Sequence, residues 1–334
     1  MVRWSQDKHL ILGVDFGGTK IRCALADFEG KIIARDDDIT PAREGPEVVL
    51  KTVLNVARGV VKEAGATFAQ LEGIGIAAAG PLDSNTGIVF LSPNLYGWDN
   101  VPLRDLIERK LRVKTFVEND ANAAALGELY FGAGRGIRNF IYVTVSTGIG
   151  SGIIIDGNLY RGVCGTAGEV GHMTIDLDGP RCNCGNAGCW ETLASGTALA
   201  RRARQRIEQG AKTSILPLVG GHIDGITAET VALAASKGDQ FAKKLITENG
   251  YYLGVGFVNL VNLFNPELIL IGGGLSHIGE ALLKPAIEVV KERAFKAAYE
   301  SVRFALAKNI DDAGLLGAIA LVMERIKERD LSGG

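Results

Sequence analysis

The chain has little of what marks several protein classes. Its 36 Lys and Arg stand against 38 Asp and Glu over 334 residues, a formal charge of −2, so no cationic excess points to a nucleic-acid partner. The clusters RKLR at 109–112 and ARRARQR at 200–206 read as solvated helix faces. Long apolar runs are missing. The most continuous one, near 252–271, is broken by Asn259, Asn262, Asn265, Pro266 and Glu267, which argues against a membrane span or a membrane partner. MVRWSQDKH leads straight into LILGV without the apolar core and small-residue cleavage site of a secretory signal, so a cytoplasmic location is expected. Cysteines number five, too few and odd for a disulfide scaffold. There is no tandem repeat, no GxxxxGKS, and no GxGxxG in a dinucleotide-binding context. The few histidines lack a nucleophile and an orienting acid at the spacing of a serine triad.

What is present is the patterning of an α/β protein long enough for two packed lobes. LILGVDFGGT, KIRCALAD and KIIARD read as short β runs, with Glu29-Gly30 as a turn between the last two. Residues 46–64 switch to a helical pattern between Pro46 and Gly65, and 71–80 return to a strand. Pro102 opens another helix, VKTFVEND makes a strand ending in polar groups, and ANAAALGELYFGAG begins a helix. A second glycine-led strand set starts at 140–160, helical patterns dominate 192–262, and the end of the chain reads as strand, loop and helix. The two halves look alike at this level, with a boundary near 130–139.

Three glycine turns follow strands. In DFGGTK, Gly17 and Gly18 let the backbone approach phosphate, Thr19 offers a hydroxyl, Lys20 a charge, and Asp15 a carboxylate that could orient magnesium through water. A plain hairpin turn is the alternative for that fragment alone. STGIGSG at 146–152 and IGGGLS at 271–276 repeat the arrangement, and three such turns favour a nucleotide cleft. In ENDANAAALGE at 118–128, Asp120 at a strand end suits a base that accepts a hydroxyl proton, with Asn119 orienting the hydroxyl; an ordinary helix N-cap is the bland reading. Glu118 reads equally as a metal or sugar contact and as a solvated acid.

His172, Cys182, Cys184 and Cys189 offer one nitrogen and three sulfurs, a suitable shell for tetrahedral zinc, with reactive thiols and simple burial as the alternatives. The C-x-C spacing fits a C-x-x-C redox motif poorly. A full shell of four ligands leaves no open position for water, so such a metal would organise the chain and perform no chemistry.

With DFGGTK, AAAGPLD, ENDANAAALGE, STGIGSGI, GEVGH, CNCGNAGCWE and IGGG spread from residue 15 to 274, the sequence resembles the bacterial ROK sugar kinases, and most of all the ROK-type glucokinases. The resemblance implies an α/β, two-lobed, actin-like and hexokinase-type ATPase fold of the ribonuclease H-like kind with a central cleft. Residues 1–133 would form the first lobe, completed by the C-terminal helix at 313–330, and 134–312 a larger lobe containing the zinc motif. It makes Asp120 the base and places Gly80, Asn94, Asn119, Glu169, His172 and Glu191 at the sugar. Gly17, Gly18, Thr19 and Lys20 would line one phosphate turn, Thr147 and Gly148 the second, while Gly273 and Gly274 approach the other end of the nucleotide. The implied reaction moves the γ-phosphoryl group of ATP, with Mg2+, to the C6 hydroxyl of glucose; N-acetylmannosamine, mannose, fructose and other hexoses are alternative acceptors. A homodimer, or a tetramer, is the implied assembly. The family also contains sugar-responsive repressors with an added N-terminal DNA-binding domain. Here Met1 to His9 precede the first strand, too little for a helix-turn-helix, so an enzyme is expected.

Overall fold

In the computed structural model, which describes residues 10–91 and 95–332, the chain forms two compact units. One is built on the chain up to Gly136 with Gly152–Ala167 and the segment from Asp311 onward; the other comprises Ile137–Ser151 and Gly168–Ile310.

The first unit contains β1 (Leu10–Phe16), β2 (Lys20–Ala26), β3 (Ile32–Ile39), β4 (Leu71–Ala78), the short β5 (Leu82–Asp83), β6 (Ile88–Leu91) and β7 (Asp99–Val101), and β8 (Thr115–Asn119). Its main sheet has the order β3-β2-β1-β4-β8, antiparallel from β1 to β3 and parallel from β1 through β4 to β8. The second sheet is made of β9 (Phe140–Val145), β10 (Ile149–Ile155), β11 (Asn158–Leu159), β12 (Leu268–Gly272) and β13 (Arg303–Leu306), in the order β11-β10-β9-β12-β13. Each sheet therefore runs third, second, first, fourth, fifth along its own strands, and the coarse likeness of the two halves is a repeated topology.

The helices of the first unit are α1 (Pro46–Glu63), α2 (Leu103–Leu111) and α3 (Asp120–Phe131). Those of the second are α4 (Trp190–Ala194), α5 (Gly196–Glu208), α6 (Ile215–Leu218), α7 (Ala228–Ser236), α8 (Gln240–Phe264), α9 (Glu280–Arg293) and α10 (Lys296–Ser301). The last helix, α11 (Ala313–Ser332), belongs to the first unit. Alternation along β1 explains why its sequence is apolar almost throughout. Leu10, Leu12, Val14 and Phe16 join a core with Val49, Val53, Val56 and Val60 of α1, whereas Ile11 packs with Leu316, Ile319 and Val322 of α11. Both faces are covered, as a partly parallel sheet requires.

Two features depart from the sequence reading. No strand is expected at 82–101, yet β5, β6 and β7 form a small antiparallel sheet, its first turn held by Asp83, whose carboxylate accepts from the Asn85 amide at 2.9 Å and the Thr86 hydroxyl at 2.8 Å. A single boundary near 130–139 also misses the return of Gly152–Ala167 to the first unit. Gly152 lies so close to α3 that a Cβ there would be 2.5 Å from the Ala125 Cβ and 2.9 Å from the Ala121 carbonyl. Among the described residues no helix is long and apolar enough to cross a membrane.

Close backbone approach sets the position of α11. A Cβ on Gly75 of β4 would stand 1.8 Å from the Ala318 carbonyl, and one on Gly317 would stand 2.2 Å from the Ala123 carbonyl of α3. Neither obstacle is a movable side chain, so Gly75→Ala should destabilise the protein by at least about 2 kcal/mol. Chemical denaturation reads this as a lowered midpoint; an unchanged midpoint would contradict the packing described.

Candidate functional site

The junction of β8 and α3 presents Asp120. Asn119 caps the helix, its Oδ1 accepting from the amides of Ala121 at 3.0 Å and Asn122 at 3.3 Å. The cap is therefore one residue earlier than the bland reading has it. Asp120 is the first helical residue and its carboxylate accepts the Ala121 N–H at 2.8 Å, at the helix end that favours negative charge. Glu118 is neither a solvated acid nor placed to meet a ligand: it is fully buried. Its Oε2 accepts from Arg161 Nε at 2.7 Å, and its Oε1 from the Asn119 amide at 3.0 Å and Asn122 Nδ2 at 3.1 Å. Arg161 also pairs with Glu324 of α11. The two carboxylates outweigh the burial that disfavours its charge and hold the guanidinium above its ordinary pKa, while burial raises the Glu324 carboxyl. This buried triad braces the turn on which Asp120 stands.

DFGGTK proves to be a β1–β2 hairpin turn, closed by the Gly17 amide on the Lys20 carbonyl at 3.1 Å and by the Thr40 hydroxyl on the Gly17 carbonyl at 2.8 Å. A hairpin and a phosphate turn are compatible, since Thr19 is exposed and Gly17 and Gly18 are partly so. The charges are already engaged. Asp15 lies opposite Arg22 in the β1–β2 register and accepts from its Nε at 3.0 Å through Oδ2. Lys20 Nζ is 2.7 Å from Asp37, a half-exposed pair that costs little to break. Gly80 has φ +103°, a conformation that suits glycine. Asn94 lies outside the described residues.

In the second unit, the four ligand atoms of His172, Cys182, Cys184 and Cys189 lie within 4.8 Å of one another. An ion with metal–sulfur distances of about 2.3 Å and a metal–nitrogen distance of about 2.0 Å in a tetrahedron would separate two sulfurs by about 3.8 Å and a sulfur from the nitrogen by about 3.5 Å. The observed Cys184–Cys189 and Cys182–His172 Nδ1 separations are 3.7 and 3.6 Å. Burial and the neighbouring sulfurs push the Cys189 thiol up to about 12, and burial raises Cys182, while the Asn186 amide lowers Cys184. Thiolates so close need a cation to coexist, and the set fits a metal. The excursion between the ligands folds onto itself: a Cβ on Gly188 would be 1.6 Å from the Asp176 carbonyl. With Nδ1 facing the sulfurs, His172 turns Nε2 toward Glu169, 3.9 Å away. The cluster thereby fixes the ring beside an acid.

Cys189 leads directly into α4, which carries Glu191. Trp190 is fully buried and donates to the Tyr252 carbonyl at 2.9 Å. The carbonyls of Thr192, Leu193 and Ala194 are taken by Arg201, Arg202 and Asn249. Arg202 is buried and stacks 5.3 Å from the Tyr252 ring centroid, so the reading of ARRARQR as a solvated face is wrong for its centre. Only its partners, distant in sequence, reveal that role. Glu191 Oε2 accepts the Ile149 amide at 2.9 Å, next to Gly148.

Thr147 opens onto a cavity of about 440 Å³ lined also by Thr197, Arg201 and Arg204. Gly274 lines a more apolar cavity of about 750 Å³ with Lys243, His277 and Ile278, and the two share Ala228, Glu229 and Leu275. Gly273, at φ +80°, is pressed against the Val145 carbonyl. Thr197, Arg201, Arg204 and Glu229 line these cavities and fall outside the motifs read from the sequence; the local signal for the first is the Ser195 cap that opens α5. Thus the second unit gathers Thr147, Gly148 and Glu191, and separately Glu169 with His172, while the first unit carries Asp120, Asn119 and the DFGGTK turn.

A family model described as the ROK family matches residues 11–325. The chain is 36% identical over 323 residues to a xylose repressor of Caldicellulosiruptor bescii, covering 97% of this chain and 80% of that protein. It is 37% identical over 315 residues to a glucokinase of Halalkalibacterium halodurans, covering 94% of this chain and 95% of that one. Among solved structures, a ROK family glucokinase from Streptomyces griseus in complex with glucose and AMPPNP is 37% identical with a TM-score of 0.82, covering 94% of this chain and 99% of the other.

Proposed function

The chain belongs to the ROK family and has its actin- and hexokinase-type ATPase fold, and from that premise we propose that it is an ATP-dependent hexose kinase whose acceptor is the C6 hydroxyl of glucose. One observation carries the reading: Asp120 stands as the first residue of α3, on a turn braced by a buried triad, in a chain like the glucokinase that binds glucose and AMPPNP. Asp120 takes the proton of the hydroxyl as its oxygen bonds to the γ-phosphorus and the bond from that phosphorus to the ADP oxygen breaks. No phosphoenzyme is needed. With Asn119 Oδ1 used in capping, its amide NH2 is the group left to orient the sugar. Glu169, His172 and Glu191 hold the other hydroxyls, with Gly80 and Asn94 assigned to the sugar by the family motif. Asp15 commits one oxygen to Arg22 and keeps the other for water on magnesium, which would neutralise phosphate charge when bound. Thr147 and Gly148 serve the phosphates, and Gly273 and Gly274 the other end of the nucleotide, with Gly274 lining the cavity of about 750 Å³.

The metal of the cysteine cluster is assigned as zinc, the borderline-soft ion that suits three thiolates and an imidazole. His172 Nδ1 and the three Sγ atoms would fill its shell, leaving it a structural role. The same reading carries a homodimer, which light scattering checks.

The 36% identity to a xylose repressor favours a second reading, a sugar-responsive regulator that binds its sugar without turnover. Purified protein assayed with ATP and a panel of glucose, mannose, fructose and N-acetylmannosamine separates the two. Glucose should give the highest specificity constant; binding without phosphorylation of any sugar would establish the regulator. Asp120→Asn should fold, retain sugar binding and lose at least about 100-fold in turnover, whereas near-normal turnover would remove Asp120 from the chemistry. Metal analysis should find one zinc per chain, and Cys184→Ser should lower both that content and the melting temperature; a metal-free protein of full stability would contradict the assignment.

A further inference from the structure

The acid proposed for the sugar and the turn proposed for the donor phosphates share a hydrogen bond. Glu191 Oε2 accepts the Ile149 N–H at 2.9 Å. At the preceding residue a side chain would push the carboxylate aside: a Cβ on Gly148 would lie 2.2 Å from Glu191 Oε2 and 3.1 Å from its Cδ. The other side of Ile149 is equally crowded, because a Cβ on Gly171, next to His172, would be 2.1 Å from the Ile149 carbonyl oxygen. Two residues further, the Ser151 hydroxyl donates to the Gly168 carbonyl at 2.8 Å. At the start of the turn, the Gly196 amide donates to the Ser146 carbonyl and the Thr197 hydroxyl to the Thr147 carbonyl, both at 2.8 Å. Residues 146–151 are thus gripped by the segments that carry Glu169 and His172 on one hand, and Glu191 on the other. A carboxylate that shifts to meet a sugar hydroxyl must carry the Ile149 amide with it or lose a charge-assisted hydrogen bond.

We propose that Gly148 and Glu191 form a coupling element through which the acceptor sugar and the phosphoryl donor bind interdependently. Gly148, given to phosphate by its motif, is on this assignment also a positioning residue for the sugar acid. Glu191 is in turn a positioning residue for the phosphate turn. The inference rests on the sugar-kinase reading above, and linkage requires the effect to be reciprocal: glucose tightens nucleotide by the factor with which nucleotide tightens glucose.

The test measures each variant against the ligand its motif does not assign to it. Gly148→Ala is titrated with glucose in the absence of nucleotide, and Glu191→Ala with AMPPNP in the absence of sugar, by calorimetry on protein whose fold is checked by circular dichroism. Each should bind that ligand on the order of tenfold more weakly than wild type, the effect of losing one hydrogen bond to a charged group. In wild type the two ligands should tighten each other equally, and in both variants that factor should fall toward one. Wild-type affinity in either folded variant for the opposite ligand overturns the coupling, and because the two are independent, misfolding of one leaves the other decisive. If wild-type protein binds no hexose of the panel, the sugar-kinase reading itself fails, an outcome distinct from intact binding without coupling.

Discussion

Four donor atoms drawn from residues 172–189 converge within 4.8 Å, and the candidate acceptor site depends on that convergence. Beside it, the excursion is held by two isolated β-bridges, Thr174 to Cys189 and Arg181 to Ala187, and by short backbone hydrogen bonds such as those of the Ile175, Cys182 and Gly188 amides to the Gly188, Asn186 and Pro180 carbonyls, each at 2.8 Å. The proposed closed shell of three sulfurs and a nitrogen would fix His172 at one end and Cys189 at the other. Glu169 precedes the first by three residues and Glu191 follows the second by two, so on the proposed reading the clip would set both acids while taking no part in phosphate chemistry.

The far side of α4 is held by different means. Its three terminal carbonyls are satisfied by Arg201, Arg202 and Asn249, and Trp190 is locked by burial and by the Tyr252 carbonyl. A helix of only five residues has little intrinsic stability, and this grip from α5 and α8 supplies what its length cannot. In the first unit the corresponding brace is ionic. Glu118, Arg161 and Glu324 come from three separate segments to fix the β8–α3 junction, and the glycines beneath α11 bring Glu324 within reach. Such a pairing contributes little net stability once desolvation is counted, but it specifies one geometry for the turn.

Much of this was legible in the sequence because the signals are local. The aliphatic runs of β1, β4 and β9, Pro46 opening α1, and the histidine beside three cysteines are each read within a window of a few residues to about twenty. The rest depends on partners far along the chain. Glu118 looks like a free acid until Arg161 is folded onto it, 43 residues away, and Arg202 looks solvated until Asn249 arrives from 47 residues on. Nothing near Lys20 in the sequence announces Asp37 of the neighbouring strand, 2.7 Å from its Nζ. The Ile149 amide, which meets Glu191, is a backbone group and leaves no trace in residue type at all. The β5–β7 sheet escaped because its strands are too short to show alternation.

The central claim, that a closed metal shell organises the acceptor side without joining the chemistry, is tested most directly by X-ray absorption at the zinc edge on purified protein, with and without saturating glucose. The account predicts three sulfurs at about 2.3 Å and one nitrogen at about 2.0 Å, the same in both samples. An oxygen ligand in the shell, or a shell that changes when glucose is added, would contradict it.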